Sequence, residues 1–203
     1  MLIAMADPGE AEFLSGLGRP LVSLGVAAPE VPSVDPENKA GASAVVEHLV
    51  AQGRRRIATI AGPQRNPCSR ERLAGYRSCV RAAGLPEVGL SGDFTRTGAD
   101  HAARGLLETV PALDAIFVAS DLMATAVLQV LLMSGRRVPD DVAVVGFDDS
   151  PPALMTTPAL STVHQPVEEL AGLAVGTLID PPGTGPLDQR LPTHLVVRAS
   201  SAA

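Results

Sequence analysis

The chain has no tryptophan, one tyrosine and four phenylalanines in 203 residues, so its core must be built from alanine, valine and leucine. Cysteine is scarce too. Cys68 and Cys79 stand apart without CxxC spacing or neighbouring histidines, a pattern of free thiols in a reducing compartment rather than a disulfide. Basic charge is in deficit: 16 Lys and Arg against 22 Asp and Glu leave a formal charge of −6, which argues against a nucleic-acid surface. The one basic run, GRRR at 53–56, follows an apolar helix pattern and suits dipole compensation at a helix C-terminus. No run of 18 apolar residues occurs, so no transmembrane helix is expected. The opening MLIAMADPGE lacks the charged and apolar regions of a signal peptide. These absences point to a soluble cytoplasmic protein.

The signatures of catalysis are missing as well. There is no GxGxxG or GxxxxGK[ST] phosphate cradle and no GxSxG elbow. His48, His101, His164 and His194 fall in different predicted elements, and none has metal-ligand spacing. The expectation is a binding protein, not an enzyme, with no cofactor and no metal.

What is present is an alternation of short apolar strands and helices. Strands are predicted at 2–6, 20–25, 55–62, 113–121 and 141–149, with a last one at 189–200. Helices are predicted at 10–18, 35–53, 69–84, 97–110, 121–135 and 165–180. Asp35 is the predicted N-cap of the second helix, with Pro36 at its first position and Gly53 past its end. Thr97 and Asp100 form the predicted capping box of the fourth. Ala44, Val45, His48 and Leu49 share a face of the second helix, which makes His48 a packing residue. The near-continuous apolar strands separated by helices indicate an α/β fold, a parallel doubly wound sheet covered on both faces.

In such sheets ligands lie beyond the carboxyl ends of the strands. The polar residues there are Asn66 and Arg72 after the first core strand, Ser120 and Asp121 after the second, and Asp148 and Asp149 after the third. Asp148 can accept two hydroxyls and Arg72 offers a planar fork of donors. Phe94, in the loop GDFTRTG, offers a ring for stacking. The constellation suits a polar, hydroxyl-rich small molecule. Each residue also has a plain structural alternative: a turn cap for the acids, a solvated helix position for Arg72, a loop anchor for Phe94.

Several blocks, in order and with natural spacing, carry a resemblance. VDPENKAGASAVVEHLVAQGRRRIATIAGP, SRERLAGYRSCVRAAGL, DAIFVASDLMATAVLQVLLMSGRRVPDDVAVVGFDDSP, PALSTVHQP and LPTHLVVRAS resemble consecutive segments of the LacI/GalR bacterial transcriptional regulators over nearly the whole chain. The resemblance implies a two-lobed type I periplasmic-binding-protein-like fold with the effector, a sugar or nucleobase-like molecule, in the cleft. It implies ligand contacts from Arg72, Phe94, Ser120, Asp148 and Gln165, with Asn66 and Asp121 as possible additions. It divides the chain into an incomplete N-terminal lobe, 1–36 plus 167–192, and a C-terminal lobe, 37–166 plus 193–203. Ser120 departs from the asparagine frequent in the family.

The resemblance further implies a homodimer through Leu128, Leu132 and Leu154. The nearly all-apolar helix at 122–133 fits this, being of the kind that is either buried in a core or shared with a partner. The family's operator-binding helix-turn-helix has no counterpart in these residues, so the expectation is a sensing core that meets operator DNA only through such a domain. The alternatives are a solute-binding protein for uptake, or a shortened relic that dimerises with a full-length relative.

Overall fold

The computed structural model describes residues 2–4, 13–14, 20–25, 31–180 and 188–202. The predicted helix at 10–18 lies largely outside the described residues, as does the loop at 181–186.

The apolar runs become the centre of the fold. β4 (Ile57–Ala61), β6 (Ala115–Val118) and β7 (Ala143–Val145) pair in parallel, with the exposed edge strand β5 (Val88–Ser91) completing the order β5-β4-β6-β7. Side chains alternate across a strand, so a continuously apolar strand supplies two cores at once. Ile57, Ala115, Phe117, Ala143 and Val145 pack under α1 (Asn38–Ala51) and α2 (Pro67–Ala82). Ala58, Ile60, Ile116, Val118 and Val144 pack under α3 (Arg96–Thr109) and α4 (Asp121–Met133). A short α5 (Pro151–Met155) follows β7.

A second sheet has the order β1-β2-β3-β9, all parallel: β1 (Leu2–Ala4), β2 (Val22–Leu24), β3 (Ser33–Pro36) and β9 (Asp188–Leu191). Helix α6 (Val167–Ile179) covers it, with Leu170 and Ala174 meeting Val22 and Val34. Between the two sheets, β8 (Thr162–His164) and β10 (His194–Val196) pair antiparallel.

Local expectations are corrected in four places. Asp35 is not an N-cap. It lies within β3, and Glu37 caps α1 without a side-chain bond, because the Asp35 carboxylate is drawn to Asn38 and Arg190 instead. The cap of α3 is Thr95, whose Oγ1 accepts from Gly98 N at 2.9 Å; Asp100 pairs with Arg104 one turn on. The strand predicted at 189–200 is two strands in different sheets, split at Pro192 and Thr193. The buried stripe of α1 is Ala42, Val45, Val46 and Leu49, with Ala44 and His48 beside it; His48 Nε2 meets Ser201 Oγ at 3.0 Å. Of the basic run, Arg55 reaches the Val50 carbonyl at the end of α1, whereas Arg54 ties that end to the Asp114 and Pro139 carbonyls. Cys68 and Cys79 are both free.

Candidate functional site

Because β4, β6 and β7 are parallel, their carboxyl ends face one edge, and the chain beyond β7 meets a further segment there. Gly146 N donates to Ser161 O at 2.8 Å and Asp148 N to Val163 O at 2.9 Å. Residues 161–164 therefore run beside the strand end and deliver Gln165 against Asp148. A Cβ at Gly146 would overlap the Asp121 carboxylate, so only glycine lets the two strand ends close together.

Arg72, Asp148 and Gln165 form the centre. Arg72 Nη1 donates to Asp148 Oδ1 at 3.1 Å and to the Ala119 carbonyl at 2.6 Å, and Nε donates to Asn38 Oδ1 at 2.8 Å. The guanidinium lies over the Phe147 ring, 3.7 Å from its centroid, a contact favourable to a cation. Gln165 Nε2 donates to the same Asp148 Oδ1 at 2.6 Å. Both side-chain donors thus use one oxygen, and no side-chain donor among the described residues reaches Oδ2. Likewise no hydrogen bond among the described residues engages Arg72 Nη2. Asp148 holds φ at +117°, a conformation that costs about 1–3 kcal/mol and persists only where its surroundings enforce it. Burial pushes its carboxyl above the ordinary range, while Arg72, then the Asp121 backbone N–H and then Gln165 pull it back.

The other predicted residues have different places. Asp121 is fully buried: Oδ1 accepts from Thr162 Oγ1 at 2.6 Å, and Oδ2 from Ser150 N at 2.7 Å and Ser150 Oγ at 3.0 Å. Burial raises its pKa to about 6, against the hydrogen bonds from Thr162 and Ser150. It clamps the turn after β7. Ser120 caps α4, accepting from Met123 N at 3.3 Å, and Asn66 caps α2, accepting from Ser69 N and Cys68 Sγ. Phe94 is half-buried at φ +62°, its ring seated on Gly62 just past β4, where any Cβ would overlap it. It belongs to the same sheet edge but packs there rather than on the central trio. Asp149 pairs instead with Arg198 at 2.6 Å and His164 at 2.9 Å. Desolvation would raise its pKa, but those two partners outweigh it and hold the carboxyl below the ordinary range.

Asn38, Arg190 and Phe147 carry no mark of a site in the sequence, and Asp35 carries only that of a helix cap. Asn38 is wholly buried and links Arg72 to Asp35 Oδ1 at 3.1 Å, and Asp35 Oδ2 accepts from Arg190 at 3.1 Å. Burial lifts Asp35 to about 6, with Arg190 opposing and Glu71 adding to the rise. A polar chain so runs from the second sheet through Asn38 to Arg72 and Asp148. An asparagine three residues after an aspartate was the available signal, but it is equally the signal of a helix start. Among the described residues no group of three or more His, Cys, Asp or Glu side chains is placed to hold a metal ion. No described helix is long and apolar enough to cross a membrane. Leu132 and Leu154 are 75% and 66% exposed, whereas Leu128 is buried in the chain's own core.

Comparison with known proteins adds to this geometry. Residues 46–201 match the model of the periplasmic binding protein-like domain. The chain is 45% identical over 203 residues to the HTH-type transcriptional regulator CelR of Thermobifida fusca, covering 97% of this chain and 58% of that protein. It is 38% identical over 174 residues to the ribose operon repressor of Halalkalibacterium halodurans, covering 84% and 53%. Among solved structures, the transcriptional regulator CelR–cellobiose complex superimposes with a TM-score of 0.89 at 42% identity, over 98% of this chain and 64% of that one. A regulatory protein of the LacI family from Chloroflexus aggregans gives 0.89 at 28% identity, over 99% and 76%. The chain thus spans little more than half the length of these curated relatives.

Proposed function

The chain belongs to the LacI-type transcriptional regulators built on the periplasmic-binding-protein-like fold, and we propose that these residues are the sensing core for a small hydroxyl-rich effector. The observation that carries this is the half-used pair of Arg72 and Asp148. Arg72 Nη2 and Asp148 Oδ2 have no side-chain partner among the described residues, so a pair joined at 3.1 Å through Nη1 and Oδ1 keeps one donor and one acceptor for a ligand. Each hydroxyl of a sugar both donates and accepts, so a vicinal pair matches that arrangement. Phe94 on the neighbouring strand end offers an apolar face, and Ser120 and Gln165 complete the rim. Cellobiose bound to one relative and the ribose in another's name favour a mono- or disaccharide.

With lobes at 1–36 plus 167–192 and 37–166 plus 193–203, the proposed site lies beside the crossings between them. Gln165 and Asn38 both lie within three residues of such a crossing, so an effector that draws on them favours one relative placement of the lobes. In the complete regulator that preference changes affinity for operator DNA by a coupling of about 1–3 kcal/mol. The core itself acts in the cytoplasm as a binding module, not an enzyme. It pairs with a second copy through the exposed Leu132 and Leu154, for which Leu128 is the buried support.

A thermal-shift screen over sugars and nucleosides tests the site. The best ligand should raise the melting temperature of the wild type, and Asp148→Ala should weaken its binding roughly tenfold to a hundredfold, the worth of one charged hydrogen bond. Equal stabilisation of both proteins would remove Asp148 from the site. Sedimentation tests the dimer: Leu154→Arg should shift the equilibrium to monomer, and an unchanged dimer would place the interface elsewhere.

A further inference from the structure

The four histidines stand in separate elements of the sequence, yet the fold sets two of them side by side on paired strands. His194 of β10 is the direct cross-strand partner of His164 of β8. Their ring centroids are 4.8 Å apart with planes tilted by 36°. The His164 side chain is 38% exposed and His194 is exposed, so the pair opens to solvent.

The tautomer of His164 follows from its neighbour. Its Nδ1 lies 2.9 Å from Asp149 Oδ2, and an ionised carboxylate only accepts. The other oxygen of Asp149 is occupied by Arg198 Nη2 at 2.6 Å, which keeps the carboxylate charged and fixed. Nδ1 therefore carries the proton, and Nε2 of the neutral ring retains its lone pair. A histidine whose Nδ1–H is held by a carboxylate while Nε2 points outward is the arrangement that orients imidazole for a metal ion and raises its basicity. A metal at about 2.0–2.1 Å from each of two imidazole nitrogens needs those nitrogens roughly 3.3 Å apart. The ring centroids, 4.8 Å apart on directly paired residues, bring the two imidazoles within reach of one ion.

We propose that His164 Nε2 and one nitrogen of His194 form a two-imidazole site for a late first-row divalent cation such as Zn²⁺, Ni²⁺ or Cu²⁺, with Asp149 as the residue that orients His164. Only two protein ligands are present, so water fills the remaining positions and affinity falls below that of four-ligand structural sites. Imidazole selects these ions over Mg²⁺ and Ca²⁺, which require oxygen ligands. A bound ion would tie β8 to β10, the two segments that carry the chain between the sheets.

The test is calorimetric titration of the tag-free 203-residue protein with NiCl₂ and with ZnCl₂, with histidine ring NMR signals followed in parallel. One equivalent should bind, and the signals of His164 and His194 should move. His194→Gln and His164→Gln should each weaken binding at least tenfold, and Asp149→Asn by about 10–100-fold. His101→Gln should leave it unchanged, and thermal melting without metal would verify that each variant is folded. Absence of saturable binding to the wild type would overturn the site, as would undiminished binding to folded His194→Gln, which would place the ion elsewhere. Undiminished binding to Asp149→Asn would remove the carboxylate from its positioning role.

Discussion

The two four-stranded sheets of this molecule differ in what covers them. The sheet β5-β4-β6-β7 has helices on both faces, and its central strands are buried residue after residue. The sheet β1-β2-β3-β9 has one described helix against it, and the cluster beneath that helix is four buried residues with half-buried neighbours. The interiors of its strands also carry polar atoms: Ser23 Oγ is buried without a hydrogen-bond partner among the described residues, and Asp35 is buried with a raised pKa. Apolar burial contributes about 25 cal/mol per Å², and among the described residues most of that burial lies around the sheet β5-β4-β6-β7. The effector site spans the boundary: Arg72 and Asp148 come from the well-covered part, and Asn38 and Gln165 from the crossings to the other.

The largest expected effect tests that asymmetry directly. Phe117→Ala, at the centre of the sheet β5-β4-β6-β7, should cost about 3–5 kcal/mol in urea unfolding. Leu170→Ala, on the buried face of α6, should cost about 2 kcal/mol, the low end for such a change, because half-buried neighbours can close in. Its effect should appear as faster hydrogen exchange confined to β2, β3 and α6. If Leu170→Ala moved the global transition as far as Phe117→Ala, the two sheets would unfold as one unit.

Acidification should sharpen the comparison. Asp35 and Asp121 titrate near pH 6 in the folded chain, above the ordinary value of 3.8, so between about pH 6 and 4 the folded state binds protons that the unfolded state does not. Stability therefore rises as pH falls through that window, by up to about 1.4 kcal/mol per pH unit for each group. Asp149 acts oppositely, its contribution being lost only below the ordinary carboxylate range. Urea midpoints at pH 7 and pH 5 should show the rise, and Asp121→Asn should flatten it in the global transition. Asp35→Asn should flatten it only in the exchange of β2 and β3. His48, whose pKa burial lowers, pulls the other way in the same window, so a pH response left unchanged by both Asp121→Asn and Asp35→Asn would contradict the two assignments. The smallest effect is local: Thr95→Ala removes the cap of α3 and should cost about 1 kcal/mol, read as a shift in the urea midpoint.

Which features were legible in the sequence follows from how local their causes are. β4, β6 and β7 could be read because a strand buried on both faces must be apolar throughout. β3, with the sequence SVDP, could not. It is a strand only because β2 and β9 flank it, and Asp35 and Pro36 carry the local marks of a helix start. β5 is a half-exposed edge strand with a glycine, and its composition matches a loop. Thr95 and Thr97 are equally able to cap a helix, and the path of the preceding loop chooses between them. Arg72, Asp148 and Gln165 were named as site residues from strand-end position and family resemblance. Asn38, by contrast, is joined to Arg72 across 34 positions by burial and hydrogen bonding.

The sequence by itself determined the layered α/β class, the parallel central strands and the polar residues at their carboxyl ends. These follow from apolar period and turn chemistry, which act over a few neighbouring residues. Tertiary structure decided that Asp35 faces Arg190 rather than a helix end, and that Asp148 shares one oxygen between Arg72 and Gln165. It also decided that His164 meets His194. Each of these contacts joins segments through sheet register and helix packing, and no local preference of either partner specifies the other.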